Sequence, residues 1–208
     1  MPANRPRLAG WLGRAAVVAG VAGGLNVGAL AEVHTSTQTR TYSVGGTTAA
    51  SLVSYMRSNP FHGSRGDAVA NIQPNYTLSM LTKQTGATCH ASKVTLGLRF
   101  LMTLPHARST SAMGSSTRSA WNSFVAFSRK HEETHRGIYV QCGNTFVAKA
   151  QRLTASNCAA LQASIRRLLE TEKQACESKQ RAFDRADYGR VAGLSLFRMA
   201  RGSSRAER

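Results

Sequence analysis

The chain has 208 residues, with 27 Lys and Arg against 10 Asp and Glu, giving a formal charge of +17. With 42% hydrophobic residues it is long enough for one domain with a real core and too apolar to be a disordered polyelectrolyte. No Lys/Arg block exceeds two residues and no basic run is interleaved with aromatics, so specific nucleic-acid binding is not expected.

The first 31 residues have the layout of a secretory signal peptide. Arg5, Arg7 and Arg14 form a positive start, residues 15–31 are small, apolar and uncharged, and Ala29-Leu30-Ala31 supplies an A-x-A cleavage site. This run is too short and too rich in Gly and Ala for a transmembrane span, though an uncleaved anchor is the alternative. Cleavage before Glu32 leaves a net charge of +14 and no further segment able to span a bilayer. A periplasmic or secreted bacterial protein is expected, its charge drawn to anionic cell-envelope surfaces. Cys89, Cys142, Cys158 and Cys176 are an even set in an oxidising compartment, which suggests two disulfides of unspecified pairing. None has C-x-x-C spacing, so a cysteine zinc site is not expected.

After a polar lead-in, residues 39–44 read as a short strand stopped by Gly45-Gly46. Thr47 or Thr48 can cap a helix reaching Arg57, with Leu52, Val53 and Met56 as its stripe, and residues 61–67 form a loop. Tyr76, Leu78 and Met80 alternate with polar residues, and Val94, Leu96, Leu98, Phe100, Met102 and Leu104 fill six successive even positions. That period of two predicts a hairpin of two antiparallel strands, connected over residues 83–88 and closed by Pro105. A polar loop over 106–116 leads to a long helix over 117–153. A turn over 154–157 then returns the chain in a second long helix over 158–186, antiparallel to the first. The tail from residue 199 is basic and expected to be disordered, after an apolar patch over 191–197 that can dock on the body. The fold class is α+β: a small antiparallel sheet with an early helix, then a long helical hairpin, with residues 32–198 as one domain.

The first long helix carries His131-Glu132-Glu133-Thr134-His135, an H-E-x-x-H motif. Histidines four apart share one helix face, so both imidazoles can reach one metal ion, with Glu132 beside it as general base. Zinc suits two imidazoles and a third ligand. The face holding Trp121, Phe124, Ser128, His131, Glu132, His135, Tyr139, Cys142 and Phe146 is the apolar one, which turns the motif inward. Folding the two helices back on each other places residues near 172–179 opposite 131–138, which favours Glu172 or Glu177 as third ligand, with Asp184 and Asp187 further along. Tyr139 or Tyr188 can stabilise an oxyanion, while His62, His90 and His106 read as surface histidines. The strand over 94–104 is the candidate edge for pairing with an extended substrate.

The chain resembles a bacterial family of secreted zinc-dependent proteases that is catalogued as a domain of unknown function. The likeness runs from about Arg40 to Phe197. It rests on Tyr42-Ser43-Val44-Gly45-Gly46-Thr47, Cys89 ahead of the long alternating strand ending Leu104-Pro105, Trp121-x-x-Phe124 before the H-E-x-x-H motif, and Phe183-Asp184. The resemblance implies a zincin-like fold and a zinc cofactor acting on a peptide or protein substrate. It also favours Asp184 as third metal ligand beside His131 and His135. The family's late Asp-x-x-Thr-x-His-Gly run is here Asp184-Arg185-Ala186-Asp187-Tyr188-Gly189, without the histidine. That departure keeps open the alternative of a catalytically inactive zincin-like envelope binding protein, and the cationic surface keeps open a zinc amidase acting on cell-wall peptides.

Overall fold

The computed structural model describes residues 32–63 and 66–206. The expected signal peptide lies outside these residues. Three long strands form the sheet: β1 (Glu32–Val44), β4 (Asn71–Thr85) and β5 (Thr88–Ala107), in the order β1-β5-β4. Helix α1 (Ala49–Ser58) and the small hairpin β2 (Phe61–Gly63) and β3 (Gly66–Ala68) lie between β1 and β4 in sequence. The helices α2 (Ser115–Ala150) and α3 (Cys158–Ala192) follow, linked through the two-residue β6 (Thr154–Ala155), and α4 (Ser195–Ala206) ends the fold.

The α+β reading holds, with a mixed sheet: β4 and β5 form the expected antiparallel hairpin, whereas β1 runs parallel to β5 along its whole length. The hairpin turn is tighter than expected, because Gly86 takes the left-handed φ of 58° and lets the strands run to Thr85 and Thr88. β1 starts at Glu32 rather than 39. Its first half is exposed on both faces, so its sequence carries no alternation to read. β5 also continues past Pro105 to Ala107. Beyond Thr103 it pairs only with β1, so one side of the strand has no ladder to break there.

One correction bears on function. The strand over 94–104 is the centre of the sheet, flanked on both sides, and is not an edge open to a peptide.

Val94, Leu96, Leu98, Phe100, Met102 and Leu104 are each at most 2% exposed and form the floor of the main core. The C-terminal half of α2 (Tyr139, Phe146, Val147) and the N-terminal half of α3 (Leu161, Ile165, Leu169) pack on it. Gly143 permits this close approach: a Cβ there would lie 3.2 and 3.3 Å from Leu96 and Leu98 side-chain carbons. A second core gathers Leu52, Val53 and Met56 of α1, Trp121 and Phe124 of α2, and Leu196 of α4. The apolar patch before residue 198 therefore docks as the sequence suggests, with Phe197 edge-on to Phe124. Where a disordered tail is expected, α4 stays helical to Ala206.

Both disulfides form, Cys89–Cys158 and Cys142–Cys176. The first ties the start of α3 to the start of β5, and the second bolts α2 to α3. No helix among the described residues is long and apolar enough to cross a membrane.

Candidate metal centre

The two cores leave a gap along α2. Phe124 belongs to one and Tyr139 to the other, and the face between them presents Ser128, His131, Glu132 and His135. α3 runs antiparallel across this gap and brings Gln180, Phe183, Asp184 and Asp187. The ring of Phe183 packs 4.8 Å from that of His131 and 4.9 Å from that of His135.

His131, His135 and Asp184 converge as a group able to hold a metal ion. His135 Nε2 is 2.7 Å from Asp184 Oδ1 and 3.0 Å from His131 Nε2, and His131 Nε2 is 3.3 Å from the same Oδ1. Ligand atoms bound at about 2.0–2.1 Å to one tetrahedral ion stand about 3.3 Å apart, a spacing of this order.

The second nitrogens decide what the first can do. His135 Nδ1 meets Gln180 Oε1 at 2.5 Å, while Gln180 Nε2 donates to the His135 carbonyl at 3.2 Å. With its nitrogen so engaged, Gln180 offers the ring only an acceptor, and Nδ1 must carry the proton. His131 Nδ1 likewise donates to Asp187 Oδ2 at 2.8 Å. Burial alone would push the Asp187 carboxyl up. Hydrogen bonds from His131 and Arg190, with the guanidinium charge 2.6 Å away, outweigh that and hold it below the usual carboxylate range. Asp187 is thus an ionised acceptor. Each ring therefore turns its Nε2 toward the other ring and toward Asp184 Oδ1, so that three possible ligand atoms converge on one point.

The charge distribution points the same way. In a chain with 27 basic residues, four of the ten acidic ones (Asp67, Glu132, Asp184 and Asp187) line a single cleft of about 580 Å³ over this cluster. Among the described residues, Arg57 is the one Lys or Arg on its lining. Glu132, only 4% exposed, lies on the same wall as the histidines.

The other expected site residues separate cleanly. Glu172 pairs with Lys149 at 2.6 Å and Glu177 accepts from the Tyr139 hydroxyl at 2.8 Å, and neither carboxylate joins the His-His-Asp cluster. Tyr139 is core, packed against Phe100, whereas Tyr188 lines the cleft and is 85% exposed. His62 pairs with Asp67 at the surface. Gln180 and Ser128 are parts of the site that sequence reasoning passed over. Gln180 is signalled only by its spacing, one turn after Cys176 and one before Asp184.

A family model described as a bacterial protein of unknown function (DUF922) matches residues 39–190, about three quarters of the chain. The chain belongs to this family. The DUF922 region takes in the second half of β1, all of β4 and β5, α2 and nearly all of α3, both disulfides and every residue of the His-His-Asp cluster. Neither the curated proteins nor the solved structures contain a match.

Proposed function

We propose that this DUF922 protein is an extracytoplasmic zinc-dependent metallopeptidase. The observation that supports this best is the convergence of three possible ligand atoms, one each from His131, His135 and Asp184, in a cleft that also holds the buried Glu132. Two imidazoles and one carboxylate are a donor set that zinc favours, with a fourth position open to water. A zinc ion there supplies Lewis acidity toward a scissile carbonyl and brings the pKa of water toward neutrality.

The protein's own residues have defined tasks in this reading. Gln180 and Asp187 orient the two rings and fix their tautomers. Glu132 takes the proton of the attacking water and delivers it to the leaving amine. Tyr188, at the cleft and one turn beyond Asp184, donates its hydroxyl to the developing oxyanion. The two disulfides agree with an oxidising compartment and so with export.

The absent late histidine is the main support for an inactive binding scaffold. That support weakens once Asp184 fills the third corner. A cell-wall amidase uses the same site and differs in substrate alone.

Metal content of the mature protein, beside His131→Ala, Asp184→Asn and Glu132→Gln, tests the reading. One zinc per chain is expected in the wild type and in Glu132→Gln, and is lost in the other two. Proteolysis of unfolded casein by the wild type but not by Glu132→Gln completes the test. Failure to bind zinc would overturn the enzyme. Hydrolysis confined to cell-wall peptides would move it to the amidase class.

A further inference from the structure

Ser128 stands one turn before Glu132 on the cleft face of α2, and its hydroxyl is placed unlike four others on the long helices. Thr134, Thr145, Thr171 and Ser178 each donate their hydroxyl to the carbonyl four residues back. That is the usual outlet for a hydroxyl inside a helix. Ser128 is only 2% exposed, yet its Oγ has no hydrogen-bond partner among the described residues. It lines the same cleft as His131, Glu132 and His135. A buried hydroxyl left unpaired is costly, so a partner arriving from the cleft is strongly favoured.

The cleft walls say what else that partner carries. Met56, Val69, Phe127 and Val191 line them, and Phe127 is held in place by the Arg190 guanidinium 5.2 Å over its ring. Arg190 is itself fixed by Asp187, so this apolar wall is built off the same network that orients His131.

We propose that Ser128 is the main-chain anchor of an apolar substrate subsite. Its hydroxyl hydrogen-bonds to the backbone of a bound peptide while an aliphatic side chain beside the scissile bond packs among Met56, Phe127 and Val191. This rests on the metallopeptidase reading and adds a substrate class to it: peptides with a bulky aliphatic residue next to the cleaved bond. Ser128 is a positioning residue, and the chemistry stays with Glu132.

Binding of leucine hydroxamate and glycine hydroxamate to the zinc-loaded protein tests this without a known substrate. Both probes share a metal-binding head and differ in the isobutyl group. The leucine compound should bind about ten- to a hundredfold more tightly, as burial of an isobutyl group predicts. Ser128→Ala should bind both compounds about two- to tenfold more weakly, the worth of one hydrogen bond, with full zinc content and an unchanged or higher melting temperature. Ser128→Thr, which keeps the hydroxyl, should restore most of the affinity. Equal binding of the two probes, or wild-type affinity in Ser128→Ala, overturns the subsite while leaving the metal site standing. A protein that takes up no zinc overturns both readings, and metal analysis alone reveals that case.

Discussion

Gln180 holds His135 at two points, accepting from the ring at Nδ1 and donating to the main-chain carbonyl of the same residue. One side chain on α3 thereby sets both the tilt of the imidazole and its tautomer. It also carries this control from a fully buried position that solvent cannot imitate. Replacing Gln180 by Leu should keep its bulk but release the ring. Zinc affinity should fall about 10- to 100-fold, the usual cost of losing such an outer partner. Competition with a chromogenic chelator measures this directly, and unchanged affinity would remove Gln180 from the site.

The same helix register appears in the covalent links, and the two disulfides should separate by function. Each closes a loop, of 34 residues for Cys142–Cys176 and 69 for Cys89–Cys158, so each should contribute about 4 kcal/mol to stability. Cys142 lies two turns from His135, and Cys176 lies two turns from Asp184. Replacing that pair by Ala should therefore weaken zinc binding as well as lower the melting temperature. The Cys89/Cys158 double Ala variant should lose stability alone. Equal zinc affinity in the two variants would show that packing suffices to hold the register.

Stability should decline at alkaline pH for an identifiable reason. Burial pushes the phenols of Tyr42 and Tyr76 up to about 12, aided at Tyr76 by Glu177 and Glu170. A raised pKa means that the folded chain keeps a proton which the unfolded chain gives up near pH 10. The stabilising contribution is complete below about pH 10 and is lost as pH climbs through 12. Tyr76→Phe is the cleaner test, since the Tyr42 hydroxyl also donates to the Val69 carbonyl. The melting temperature of Tyr76→Phe should fall by a few degrees less than that of the wild type between pH 9.5 and 12. Parallel curves would refute the assignment.

Residue by residue, the sequence was most legible where burial is one-sided. The even positions of β5 announce a half-buried strand because one face meets helices and the other does not. The same pattern says nothing about neighbours in the sheet, which is why β5 reads equally well as an edge. Only the end of β1, residues 39–44, was legible, because its exposed start obeys no alternation; its pairing comes from 13 residues matched to a distant strand. The motif histidines were legible from a fixed spacing, and helix folding placed their partners within a few turns. The fold-back alone pointed to Glu172 or Glu177 and the resemblance to Asp184; Asp187 opposite His131 and Cys176 opposite Cys142 fix the register that loop length leaves open. Gln180 carried only the signal of its helical spacing, because an amide is a metal-site residue only by what it faces.

The ligands come from two helices whose connecting turn, at β6, lies at the far end of the pair, with the Cys142–Cys176 bond between turn and cluster. An ion bridging His131, His135 and Asp184 would thus close the open end of a clamp that is already hinged and riveted. Beyond the rivet, the last turns of α3 meet α2 at this cluster, while α4 packs in the second core with Trp121 and Phe124. Amide exchange in residues 180–200 should therefore slow when zinc binds, while the sheet and the Cys89–Cys158 end stay as they were. The metal would act as a fastener for the C-terminal end of the fold, and chelation would loosen that end first.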